Sequence, residues 1–538
     1  MRVPHLKKQG NATVLFVEDK PFIALAGEVH NSDSSSPEYM EKNWKIADEL
    51  GMNTLLLPVT WEMIEPEEDQ FDFAIVKALI DQARSFGKKI IFLWFGTWKN
   101  AECMYAPPWV KTDLNRFKRG QIKKGMNKAG RKISDNLPFE NPYTTISYLC
   151  EEAMKADAKA FAKLMAYIKE YDESFSTVIA VQVENETGLL GNAREVSDEA
   201  DALFEENVPQ EFWEYMKSTT STMVEDVKKI VEASPSSGTW TEVFRGVADE
   251  MFSAYYISRY VNYVAQAGKD IYPLPMAVNC WLDKGGKPGM YPSGGPVSRV
   301  HEVWKYNAPA IDVYCPDIYV PNFMEICDEY TRRDTPLFIP EAATHSYAAP
   351  RLVYTVGHYH AMCYSPFGFD DLGKAFTATQ AYLFGVDVTD EALKTPQNYE
   401  EYGKTGKYLQ QLMPYLGAAY GTNRLQASCA ETKQEMNIMK FGEFAIMVMF
   451  DNPMITRKDG YCLAVQTAED ECFLLVNACT LNFVAGTPEK PNVDLTRFEE
   501  GEFVDGQWKR GRILNGDEAS FISFDEPVLL RAKLFAYR

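Results

Sequence analysis

The 538-residue chain predicts a (β/α)8 TIM barrel followed by an all-β domain. Three observations carry that expectation. Short apolar runs alternate with amphipathic helical stretches from residue 20 to about 420, which is the pattern of a parallel sheet wrapped by helices. Eight such runs can be counted, the number that closes a barrel, with a doubly wound open sheet as the alternative. Beyond about residue 424 the helical period vanishes, and strand-like runs are separated by Asn-Gly, Asp-Gly and Pro.

The runs follow in order. FIALAGEVH (22–30) is the first strand, and the helix over 38–51 is bounded by Ser36-Pro37 before it and ends at Gly51. NTLLLPVTW (53–61) is the second strand, and the next helix (75–87) again ends at a glycine. KKIIFLWFGTW (88–98) is apolar throughout, as in parallel strands buried on both faces. A helix over 156–172 leads to TVIAVQVENE (177–186), and further strands are expected at 272–282, 310–320, 335–342 and 360–368. The division is placed at 1–423 for the barrel and 424–538 for a sandwich-like β domain. A long loop over 111–150 follows the third strand. Its first part, 111–132, holds nine Lys/Arg against one acid, and reads as a solvated loop, a subunit contact or a lid over the barrel mouth.

Composition narrows the function. Acids outnumber bases 76 to 55, a net charge of −21, which disfavours nucleic acid as a partner. No run of about 18 apolar residues is present, so no membrane span is expected. The start has no apolar signal region, and ten cysteines without CxxC spacing suit reduced, buried thiols, so a cytoplasmic protein is expected. Neither HExxH nor a Cys/His cluster of zinc spacing occurs, and GxGxxG, GxxxxGK[ST] and GxSxG are lacking. No metal and no cofactor are expected.

In a barrel the reactive groups stand at the carboxyl ends of the strands. The fourth strand ends in Glu184-Asn185-Glu186 and the seventh in Glu341; Glu28 and His30 close the first, Trp61 and Glu62 the second. Carboxylates beside aromatics suit glycosidic bond cleavage, where one carboxylic acid protonates the leaving oxygen and a second carboxylate meets the oxocarbenium-like centre. Strands four and seven face each other across a barrel, so Glu186 and Glu341 can flank one sugar ring. Glu184 is the alternative acid, since strand alternation puts it on the face of Glu186. Trp98 and Trp281 are candidate stacking platforms, with Trp94 and Trp109 read as core, and Asn279 is a candidate hydroxyl ligand.

The same residues resemble the clan A glycoside hydrolases, in which the acid/base follows an Asn at the end of strand four and the nucleophile ends strand seven. Asn185-Glu186 and Glu341 match. Within the clan the chain looks like the family 35 and family 42 β-galactosidases. Gly27-Glu28-Val29-His30 resembles the family 35 opening; Asn53-Thr54, Trp61, Glu65-Pro66, Phe71-Asp72-Phe73 and Pro107-Pro108-Trp109-Val110 resemble stretches shared by the group; Asp317-Ile318-Tyr319 resembles the family 42 sixth-strand end. The resemblance implies Glu186 as acid/base and Glu341 as nucleophile of a retaining exo-β-glycosidase, foremost a β-galactosidase. It also implies Asn185 on the sugar 2-hydroxyl and Tyr319 hydrogen-bonded to the nucleophile. Family 35 usually carries Ala-Glu-Trp where this chain has Gly96-Thr97-Trp98, so the sugar contact made by that Glu must come from elsewhere, with Asn100 a candidate. A β-glucosidase, an α-L-arabinopyranosidase, a transglycosylase and a non-catalytic carbohydrate-binding barrel stay open as alternatives. The expected partner is an oligosaccharide or glycoside, and homo-oligomerisation is left open.

Overall fold

The computed structural model describes residues 3–538 except 124–144, 284, 332–334, 379, 382–388, 390–393, 433–436, 452–454, 456, 515, 517 and 520–523. The eight expected barrel strands are all present: β1 (Ala24–Glu28), β2 (Thr54–Thr60), β3 (Lys89–Phe95), β4 (Val178–Val183), β5 (Met276–Cys280), β6 (Val313–Pro316), β7 (Phe338–Ala342) and β8 (Cys363–Pro366). They form one parallel sheet in the order β7-β8-β1-β2-β3-β4-β5-β6. A parallel bridge from Ile318 to Ala342 brings β6 back to β7, so the barrel is nearly closed.

Strand periodicity explains both its filling and its site. Leu25, Leu55, Leu57, Ile90, Phe92 and Val278 point outward into the core under the helices. Their alternate neighbours Ala24, Ala26, Leu56, Ile91, Leu93, Ala277, Val313 and Cys315 form a separate cluster, the lumen. A three-stranded antiparallel meander (His5–Gln9, Ala12–Val17, Lys20–Phe22) closes the amino-terminal end of the barrel by adding Leu15 and Val17 to that cluster. Three lumen rows then end in polar residues at the other end: Ala24-Ala26-Glu28, Ala277-Asn279 and Val313-Cys315-Asp317. Gly27, between them on β1, must lack a side chain, because a Cβ there would stand 2.7 Å from Met52 Sδ and the Phe369 ring.

The carboxyl-terminal part is all-β, as expected. A six-stranded antiparallel sheet runs β9 (Leu425–Cys429), β12 (Tyr461–Ala468), β13 (Glu471–Asn477), β17 (Val528–Tyr537), β15 (Asn492–Val504) and β16 (Gln507–Ile513). A three-stranded sheet of β10 (Asn437–Phe441), β11 (Phe444–Met449) and β14 (Thr480–Ala485) packs on it. Cys462, Ala464, Leu474, Val476 and Leu530 face the second sheet. Their alternate neighbours Leu463, Val465, Phe473, Leu475 and Leu529 share the barrel's core. Burial on both faces is why β12 and β13 are apolar without interruption. Helix Tyr399–Ala419 precedes β9, so the expected division at 423/424 falls in the turn between them.

All ten cysteines are buried, and none is joined in a disulfide. Among the described residues no helix is long and apolar enough to cross a membrane.

Candidate active site

The chain leaves β4 through two left-handed residues, Glu184 (φ 61°) and Glu186 (φ 48°), on either side of Asn185. Such a conformation is strained for residues with a Cβ and recurs where a side chain must be aimed. It also breaks the strand alternation. The expectation that Glu184 and Glu186 share a face is therefore corrected, and Glu184 as the alternative acid loses its basis. Glu184 Oε2 accepts from the Trp98 N–H at 2.7 Å, and its carboxyl lies against Asp157. Burial and then the Asp157 charge push Glu184 far above the usual carboxylate range. Two buried carboxyls in contact thus favour the protonated form of Glu184 inside the wall.

Asp157 also fixes the end of β3. Its carboxylate accepts from Trp94 Nε1 (2.8 Å) and from both the N–H (2.9 Å) and the hydroxyl (2.7 Å) of Thr97. A Cβ on Gly96 would collide with that carboxylate and the Trp94 indole. The Gly96-Thr97-Trp98 departure is therefore a wall device, in which Thr97 turns to Asp157 and Tyr260.

Glu186 and Glu341 do meet. One oxygen each of Glu186, Asp317 and Glu341 lie within 4.8 Å of one another. Glu341 accepts from the Tyr319 hydroxyl at 2.7 Å and from Asn279 Nδ2 at 3.5 Å. Asn279 is at the centre of the site, but as a brace: its amide oxygen accepts the Glu186 N–H (2.9 Å) and its nitrogen donates to Asp317 (2.8 Å). Glu28 is fully buried, and neither of its oxygens has a hydrogen-bond partner among the described residues. Glu186 Oε2, Asp317 Oδ1 and Asn185 Nδ2 are likewise unpartnered, so polar atoms with unused capacity converge on one place.

Electrostatics distinguish the acids. Burial, then the Glu341 charge, push the Glu186 carboxyl from 4.5 up to about 7. The same two causes, in the same order, raise Glu28 and Asp317 well above the usual range. Lys99, buried at 4 % exposure, opposes the rise at Glu28 and Glu186, and its ammonium donates to Asn185 Oδ1 at 3.0 Å. Negative charge on Glu341 thus favours the protonated form of each of the three raised acids.

Other expected site residues are placed differently. Trp281 stands in hydrogen-bond reach of Glu186 and packs with Ala101, Leu189 and Leu190. Trp98 is 1 % exposed and sits edge-on to Tyr260, so it offers no open stacking face. Trp61 is fully buried, donating to Glu65 at 2.9 Å and meeting Trp109 edge-on, which makes it core. Glu62 pairs with Lys111 at 3.4 Å and His30 with Asp371 at 3.0 Å, so both are engaged away from the acid cluster. Asn100 (φ 53°) is a left-handed turn residue between Lys99 and Glu102. Asp317 and Lys99 were missed as members of the site. Asp317 was findable, since Val313-Cys315-Asp317 is a lumen row ending in an acid; Lys99 carries no such signal.

Among the described residues two triads stand close enough to hold a cation: Glu186, Asp317 and Glu341, and His30, Asp370 and Asp371. Of the basic loop, Ile122 packs beside Trp281, Ala101, Leu189 and Leu190, and so borders the site. Its remainder, 124–132, lies outside the described residues.

Residues 30–221 match the family model described as Beta-galactosidase, of glycoside hydrolase family 42. Residues 403–525 match a domain of unknown function. No curated protein matches the chain. Among solved structures it is similar to a β-galactosidase from Bacillus circulans sp. alkalophilus at 14% identity, TM-score 0.45, covering 72% of this chain and 56% of that one. A β-galactosidase from the psychrophilic Marinomonas ef1 gives 12%, 0.46, 74% and 61% in the same order. The catalytic domain of a β-amylase from Paenibacillus polymyxa gives 11%, 0.46, 72% and 98%. The chain spans 56% and 61% of the two β-galactosidases.

Proposed function

We propose that this chain, whose residues 30–221 align with glycoside hydrolase family 42, is a retaining exo-β-glycosidase acting foremost on terminal β-galactosides, with the barrel over 1–423 catalytic and the β unit over 424–538 docked on it. The observation that carries this is the pairing of Glu186 and Glu341, with oxygens within 4.8 Å and the Glu186 carboxyl near 7. Carboxyl groups about 5–5.5 Å apart leave no room for water between sugar and nucleophile, which favours direct attack and retention.

Glu341, its charge stabilised by the Tyr319 hydroxyl, attacks the anomeric carbon. The C–O bond to the aglycone breaks, and Glu186 gives its proton to the departing oxygen. Esterification removes the Glu341 charge, the second cause of the Glu186 rise after burial, and so shifts Glu186 toward its carboxylate form. Glu186 then takes a proton from water, whose oxygen displaces Glu341 and restores both acids. Glu28, with two unpartnered oxygens in the same buried pocket, is placed to hold sugar hydroxyls in the role that Glu fills at the end of strand three in family 35. Asn185, held by Lys99, keeps its Nδ2 free for the 2-hydroxyl.

The test is hydrolysis of nitrophenyl β-galactoside, β-glucoside and α-arabinoside by native protein, Glu341→Gln and Glu186→Gln. Glu341→Gln is expected to be inactive on all three. Azide is expected to restore Glu186→Gln with a β-glycosyl azide as product. Variants as active as the native protein would remove the assignment.

A further inference from the structure

A second cleft lies at the other end of the barrel. It has a volume of about 1090 Å³ and opens between the starts of β7 and β8 and the edge formed by β9 and β10. The carboxylates stand at the opposite ends of the same strands, so nothing bound in this cleft reaches them.

Its lining combines two chemistries. An aromatic ledge is built by Tyr354, His358 and Tyr359: the exposed His358 ring stacks on Tyr354 at 4.6 Å and 11°, and Tyr359 meets both edge-on. Facing polar groups are mostly neutral, among them threonines, Ser428 and Asn437, beside two lysines, Lys8 and Lys440, and one acid, Asp328. Asn437, on β10, lines the cleft at 7 % exposure, and its Nδ2 has no hydrogen-bond partner among the described residues.

A flat aromatic surface beside neutral donors and acceptors matches a molecule with apolar C–H faces and hydroxylated edges. The volume exceeds the roughly 300–1,000 Å³ of ordinary small-ligand pockets, giving room for more than one sugar ring. We infer that this cleft is a second, non-catalytic binding site for a neutral oligosaccharide, built jointly by the barrel's amino-terminal end and the β unit. The site gives residues of the 403–525 unit a task, and does not depend on which glycoside the carboxylates cleave.

The test titrates β-1,4-galactohexaose, cellohexaose, xylohexaose and mannohexaose by calorimetry into full-length Glu341→Gln, where turnover is blocked. The same titrations are made with His358→Ala or Asn437→Ala added. At least one hexasaccharide is expected to show a binding event that each added substitution weakens at least about tenfold. Placed singly in the native protein, both substitutions are expected to leave the melting temperature and nitrophenyl glycoside hydrolysis unchanged. No binding event tighter than about 10 mM for any probe, or events indifferent to both substitutions, would overturn the inference. A native protein silent on nitrophenyl glycosides would remove the catalytic proposal while leaving this titration readable.

Discussion

Replacing Glu341 by Gln removes one negative charge and keeps the shape of the side chain, so it isolates what that charge does to Glu186. The oxygens lie within 4.8 Å. At an effective dielectric of about 20 two unit charges at that distance repel by about 3.5 kcal/mol, and at about 40 by half as much. Those energies correspond to roughly 1.3–2.5 pKa units. Burial, the largest cause of the rise to about 7, is untouched by the substitution, and so is the opposing Lys99. The Glu186 titration is therefore expected to fall by about 1.3–2.5 units, from about 7 toward the ordinary 4.5. Carboxyl-¹³C glutamate labelling reads it directly by NMR, with the Glu186 signal identified by its loss in Glu186→Gln. A Glu186 that still titrates near 7 in Glu341→Gln would refute the reasoning. Burial alone would then hold its proton, and esterification of Glu341 would not convert it from acid to base.

Three further outcomes follow from the same geometry. Because Glu186 must be protonated to serve as acid, and its proton is lost as pH rises through about 7, kcat/KM is expected to decline tenfold per unit above that pH; a flat profile up to pH 9 would contradict the assignment. Tyr319→Phe deletes the 2.7 Å hydrogen bond to Glu341, and a bond to a charged group contributes about 1.5–3 kcal/mol, so kcat/KM is expected to drop about 10- to 150-fold with the melting temperature kept. Arg351 is fully buried and bonded through two nitrogens to Glu431 of the β unit, so Glu431→Ala strands a buried cation at about 3–5 kcal/mol; calorimetry should show a clear loss of thermal stability, largely restored in Arg351→Met/Glu431→Leu.

The barrel was legible in the sequence because its signals are local. A parallel strand buried on both faces must be apolar throughout, as in Ile90–Phe95, and a helix that ends at Gly51 or Gly87 announces its own boundary. The alternation of β and α runs supplied the count of eight, and strand ends supplied Glu186 and Glu341. The all-β nature of the tail was equally local. That its main sheet is buried on both faces, between a second sheet and the barrel's helices, needed the tertiary structure, because an unbroken apolar run does not say what covers each side.

The site itself was legible only in part. Strand alternation put Glu184 and Glu186 together; two left-handed residues separate them, and the sequence carries no sign of that turn. Asn279 read as a sugar ligand, but its amide is spent on Glu186, Asp317 and Glu341, partners 38 to 93 residues away in sequence. Trp98 read as a platform and Trp61 as a strand-end site residue, and packing against Tyr260 and Trp109 makes them wall. The sequence by itself determined the fold class, the placing of two glutamates at facing strand ends and the acidic, aromatic-rich chemistry around them. The tertiary structure decided which acids hear one another's charge, because electrostatic coupling falls off over a few ångströms and depends on burial that no local pattern encodes.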